Sequence, residues 1–135
     1  MARAVGERRL IASGSPFEPV VGFSRAVRVG ANVFVAGTAP VMPGGAEPPS
    51  DAYGQAARCL EIIEAALREA GAELRHVVRT TVYLTSGDAY EGVARAHGEA
   101  FGDIRPAATM VVVAGLLDPR WLVEISADAV IDGGA

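Results

Sequence analysis

The chain contains no lysine: all twelve of its cationic side chains are arginine. That excludes Schiff-base, pyridoxal-phosphate and P-loop chemistry of the usual kind, since each relies on a lysine amine. Cys59 is the sole cysteine, so no disulfide forms within the chain. Histidine is nearly as scarce: His76 and His97 stand far apart and outside any HExxH or CxxC grouping, so no metal is expected. A GxSxG elbow is also missing, which removes the serine-hydrolase arrangement. No apolar run reaches the roughly 18 residues a membrane helix needs. Residues 1–9 lack an apolar signal core, so no membrane association and a cytoplasmic location are expected. Net charge is −4 and the arginines are scattered along the chain, so nucleic acid is not expected as the main partner.

What remains suits one compact domain. The chain has 135 residues, half of them apolar and 21% charged. That is enough for a core and too apolar for disorder. A short strand is expected over 8–12, then a loop over 13–19 with Gly14, Pro16 and Pro19. Strands over 25–29 and 33–36 flank Gly30-Ala31-Asn32, which reads as a hairpin. Residues 38–50, rich in Pro and Gly, form a surface loop.

Residues 51–70 give the clearest helix. Ala56, Cys59, Leu60, Ile63, Ala66, Leu67 and Ala70 fall on one face. Ser50 or Asp51 caps its start, Gly71 suits a left-handed stop, and Glu64 can pair with Arg68. A β-branched strand follows over 77–84, then a second helix over 88–101 ended by Gly102. Its stripe is Tyr90, Val93, Ala94, His97 and Phe101. Strands over 109–113 and 122–131 close the chain as a second hairpin.

The order β-ββ-α-β-α-ββ implies an α+β fold, a mixed sheet with two helices packed on one face. The opposite face, carrying Val and Ile, is left bare. Bare apolar faces of that size mark interfaces, so the chain is expected to oligomerise.

Chemistry must then come from carboxylates, hydroxyls, arginine, backbone N–H groups and water. On the last strand Val123, Ile125, Ala127 and Ala129 point one way, and Glu124, Ser126 and Asp128 the other. Glu124 is either part of a solvated polar face or the lining of a cleft, where it would orient water or accept a proton. His97 and Cys59 lie on helix core stripes and read as packed side chains. Trp121, after Asp118-Pro119-Arg120, anchors a loop, packs at a subunit contact or covers a ligand. Phe23-Ser24 pack beside the hairpin or line a cleft.

Six segments together resemble the RidA/YjgF family of reactive intermediate deaminases. Gly22-Phe23-Ser24-Arg25-Ala26-Val27 is similar to GPYSQAV, and Val33-Phe34-Val35-Ala36-Gly37-Thr38-Ala39-Pro40 to VYVSGQIP. The helix from Gln55 to Gly71 resembles QxxxxL…EAAG, and residues 77–84 resemble DVVKTTVFL. Pro106-Ala107-Ala108-Thr109 falls on PARS or PART, and Val123-Glu124-Ile125-Ser126-Ala127 on VEIEA. The resemblance implies a chorismate-mutase-like fold, assembled as a homotrimeric barrel with a small-molecule cleft between each pair of subunits. It implies cofactor-independent and metal-independent hydrolysis of imines or enamines.

The resemblance also maps the site: Glu124 as the catalytic carboxylate, and Phe23, Ser24, Arg25, Gly37, Thr38, Ala108 and Thr109 around the substrate; Trp121, in its ligand-covering reading, joins them. In the family an arginine clamps the substrate carboxylate with two parallel hydrogen bonds. That arginine falls on Ala108. Arg105 is no simple replacement, because an odd offset reverses the strand face. Phe23 lacks the hydroxyl of the family tyrosine, and Arg25 stands in place of a glutamine. The expected substrate is therefore an imine or enamine that is not a typical amino-acid derivative. A non-catalytic binder or enzyme partner of the same fold is the alternative. Negative net charge and the lack of a histidine pair argue against a ribonuclease as the main role.

Overall fold

The computed structural model describes residues 8–132. Residues 1–7, within the segment that lacks an apolar signal core, lie outside the described residues. Six strands and two main helices follow in the expected order. They are β1 (Arg8–Ile11), β2 (Ala26–Val29), β3 (Asn32–Thr38), α1 (Ala52–Glu69), β4 (Val77–Leu84), α2 (Tyr90–Phe101), β5 (Ala107–Val112) and β6 (Val123–Val130). The expected loop over 13–19 runs into a single wide helical turn, Glu18–Gly22.

Helix α1 forms as its pattern dictates. All seven stripe residues from Ala56 to Ala70 are buried. Of the two candidate caps, Asp51 takes the role, accepting from the Gly54 N–H at 3.2 Å. Gly71 stops the helix in the left-handed region at φ +90°. Arg68 pairs with Glu64 at 2.9 Å. The stripe of α2 is shifted from the expectation. Val93, Ala96 and Phe101 are buried, whereas Tyr90, at the helix start, is exposed. A separate short turn, Gly87–Ala89, precedes α2. Gly102 caps it, but Arg105 takes the left-handed position, at φ +59°, just before Pro106.

The sheet order is β1-β2-β3-β6-β4-β5. The first hairpin, β2–β3, forms as expected. The second does not: β5 runs parallel to β4 at the edge, and β6 inserts between β3 and β4, antiparallel to both. The reason lies in the side chains. Val123, Ile125, Ala127 and Ala129 are all buried, so β6 needs a central position. A twelve-residue helix between β4 and β5 matches the crossover that parallel neighbours require.

The core lies between the sheet and the helices, around Ile63, Leu67, Val82, Phe101 and Ile125. Gln55 is buried within it at 1% exposure. Its amide donates to the carbonyls of Pro49 (2.8 Å) and Arg120 (2.9 Å) and accepts from the Leu122 N–H (2.7 Å). That ties two loops to the first turn of α1. Among the described residues no helix covers the other sheet face. Register places Leu10, Phe34, Val111 and Val130 on it together, each 40–62% exposed.

Candidate functional site

β3 has one residue more than the strand it faces. From Val35 to Thr38 it takes three steps while β6 takes two, from Ala127 to Ile125. The surplus forms a bulge at Ala36-Gly37, a device that re-aims side chains next to sites. Beside the bulge, Glu124 on β6 pairs across to Tyr83 on β4. A Cβ at position 37 would collide with the Glu124 Oε2, so glycine there makes room for the carboxylate.

Gly37, Tyr83, Val113, Leu116, Glu124 and Ser126 line an open groove of about 580 Å³. Burial pushes the Glu124 carboxyl above its ordinary range, while the charge of Arg25 pulls it back. Asp128, further along the same strand, also lines the groove and is paired with Arg79 at 3.0 Å. Such a groove offers a carboxylate poised to accept a proton or hold a water, beside backbone groups and apolar walls.

The other site residues named from sequence are dispersed. Arg25 is half-buried, and its Nη2 donates to the Gly37 carbonyl at 2.7 Å. Thr38 is fully buried and its hydroxyl donates to the Ala36 carbonyl at 2.8 Å, so its side chain faces the core. Phe23 and Ser24 line a second groove of about 560 Å³ with Leu10 and Glu18, and the two grooves share no residue. Ala108 and Thr109 lie exposed on the edge strand β5 and line neither groove. Ala108 pairs with the buried Thr80, which puts it on the helix side of the sheet, opposite the face of Glu124. Trp121 is half-buried in the turn after Asp118, its N–H donating to the Asp118 carbonyl at 3.1 Å, and also lines neither groove. Arg105 is exposed in the turn before β5.

His97 accepts or donates a 2.8 Å hydrogen bond with Thr80 and packs on Phe101, and burial lowers its pKa. Burial pushes the Cys59 thiol up to about 12. Among the described residues, no three His, Cys, Asp or Glu side chains gather as a metal would require. Sequence reasoning missed Tyr83 and Val113 as groove lining. Alternation on β4 marks the face of Tyr83, but only the β4–β6 register brings it beside Glu124.

A mixed sheet with both helices on one face, and a carboxylate-bearing groove on the other, defines an α+β domain of the YjgF type. The chain belongs to the RidA/YjgF family: the family model described as Endoribonuclease L-PSP matches residues 13–131. A RutC family protein of Pyrococcus abyssi is 38% identical over 114 residues, covering 83% of this chain and 88% of that protein. A YjgF-family crystal structure from Mycobacterium tuberculosis is 45% identical, with a TM-score of 0.84, covering 93% of this chain and all of that one. The structure of E. coli TdcF with bound serine is 27% identical, with a TM-score of 0.77 over 92% of this chain and 94% of that one.

Proposed function

We propose that three copies of the chain close their bare sheet faces into a barrel. Each cleft between subunits then binds a small imine or enamine and hydrolyses it. The observation that carries this reading is the dispersal of the site. Glu124 with Gly37, Phe23 with Ser24, and Ala108 with Thr109 occupy separate places in one chain. Contact between chains is what would unite them. An exposed apolar face bearing Leu10, Phe34 and Val130 supports such contact.

In the proposed reaction Glu124 orients a water against the imine carbon and takes its proton. The water oxygen bonds to carbon as the C=N π pair moves to nitrogen. Glu124 returns that proton to nitrogen, giving a neutral carbinolamine, and then carries the hydroxyl proton to the amine, which leaves as ammonia while the carbonyl forms. A carboxyl raised by burial accepts a proton more readily near neutral pH than an ordinary one. Ala108, where the family resemblance puts arginine, offers no charge to a substrate carboxylate. TdcF was solved with bound serine; here the preferred substrate lacks a carboxylate or is larger. Ala108 and Phe23 also favour the second reading, a cleft that binds its ligand without turnover.

The test generates 2-aminoacrylate with a serine dehydratase and follows pyruvate release. Wild type is expected to be slow. Ala108→Arg should gain a charge-assisted hydrogen bond of about 1.5–3 kcal/mol, on the order of ten- to hundredfold. Carboxylate-free imines should be hydrolysed by wild type and not by Glu124→Ala. Wild type as fast as Ala108→Arg on 2-aminoacrylate would overturn the substrate claim. No turnover of any imine, with ligand binding intact, would favour the binder.

A further inference from the structure

We propose that Arg25 is a positioning residue for this groove, fixing the Gly37 peptide and, through it, the carboxylate of Glu124. The proposal rests on the reading that Glu124 serves the groove, and it assigns Arg25 a different task from holding substrate.

The backbone of Arg25 is pinned on both sides. Its N–H donates to the Ile11 carbonyl at 2.8 Å, and its carbonyl accepts from the Ala36 N–H at 3.0 Å. Its side chain starts from a fixed point and lines a pocket between β1 and α1, with Ile11, Ser13 and Arg58. From there Nη2 reaches the Gly37 carbonyl at 2.7 Å, at the β3 bulge. Residue 37 is also where Glu124 Oε2 occupies the space a Cβ would need. One glycine therefore contacts both the cation and the carboxylate.

The Nε of Arg25 is buried and has no hydrogen-bond partner. An under-hydrogen-bonded cation is costly to keep, and such exceptions call for an explanation. The charges of Glu124 and Glu18 favour the guanidinium and offset part of the cost of its burial. The groups that bear on Glu124 are Arg25, Cys59 on α1, Tyr83 on β4 and Asp128 on its own strand. Cys59 stays a neutral thiol and Asp128 is paired with Arg79, which leaves Arg25 as the cation whose charge offsets part of the effect of burial on the carboxylate.

The test is a carbon-13 titration of the Glu124 carboxyl by NMR, which needs no substrate. In Arg25→Gln the midpoint should rise by about one pH unit, and Arg25→Lys should restore most of it. In wild type the Arg25 Nε–H should exchange slowly and shift with the same midpoint as Glu124. A midpoint unchanged in folded Arg25→Gln would overturn the proposal. If that variant does not fold, a wild-type Nε–H that exchanges like a free guanidinium and ignores Glu124 would do the same. Loss of the catalytic reading looks different: Glu124→Ala would keep full hydrolysis, while Arg25→Gln still moved the Glu124 midpoint of the otherwise wild-type chain.

Discussion

Glu124 rests its carboxylate in the space that a side chain on Gly37 would fill. The fit depends on the β3 bulge, which sets Gly37 opposite the start of β6. Because the atom in the way is the far end of a flexible side chain, Gly37→Ala should displace the carboxylate and spare the fold. The expected outcome is at least a tenfold loss of imine hydrolysis with a stability cost of about 1 kcal/mol. Parallel kinetics and thermal melts check it; equal activity would show that the carboxylate position is unimportant.

Burial raises the Glu124 pKa above that of the unfolded chain, so the native state holds its proton more tightly. Ionisation therefore costs stability as pH rises from about 4.3, the unfolded value, through the raised folded value. Above that window the penalty is complete. Glu124→Gln mimics the protonated form and should melt higher than wild type at pH 7. The margin should vanish below the unfolded pKa. Melts across pH 3–8 (a range chosen to span roughly both values) would show this directly.

Gln55 holds the loops at Pro49 and Arg120-Leu122 with three hydrogen bonds from a buried position. Gln55→Ala leaves two carbonyls and an N–H without that partner. The loss should be about 2–4 kcal/mol, a fall in Tm of roughly 10 °C. A change under about 2 °C would mean that water replaces the amide without penalty.

Cys59 is buried, and its thiol titrates only near 12. It should resist an aromatic disulfide reagent in the folded protein at pH 8 and react once per chain in guanidinium. Fast labelling of the native protein would place the thiol in an open site, contrary to its packing.

Both helices were legible, and so was the core face of α1, because burial imposes a period that the sequence displays; the stripe of α2 was read only in part, since Ala96 is buried and Tyr90 exposed. Every stripe residue of α1 from Ala56 to Ala70 is where its spacing puts it. The pairing of β5 was not legible. Local pattern marks 109–113 as strand, close to the observed Ala107–Val112, but an edge place beside β4 depends on β6 claiming the centre. The role of Gln55 was hidden for a related reason, since its partners lie up to 67 residues away. Within the site, alternation identified Glu124 as facing away from the core. It could not show the bulge that carries Gly37 to it, nor that Thr38 turns inward.

Catalysis as proposed requires chains to meet across the exposed apolar sheet face. Sedimentation equilibrium at micromolar concentration measures that without assuming any substrate. It should return three times the 13.9 kDa chain mass. A stable species of 13.9 kDa would contradict a shared cleft, because Phe23, Glu124 and Ala108 would then never meet.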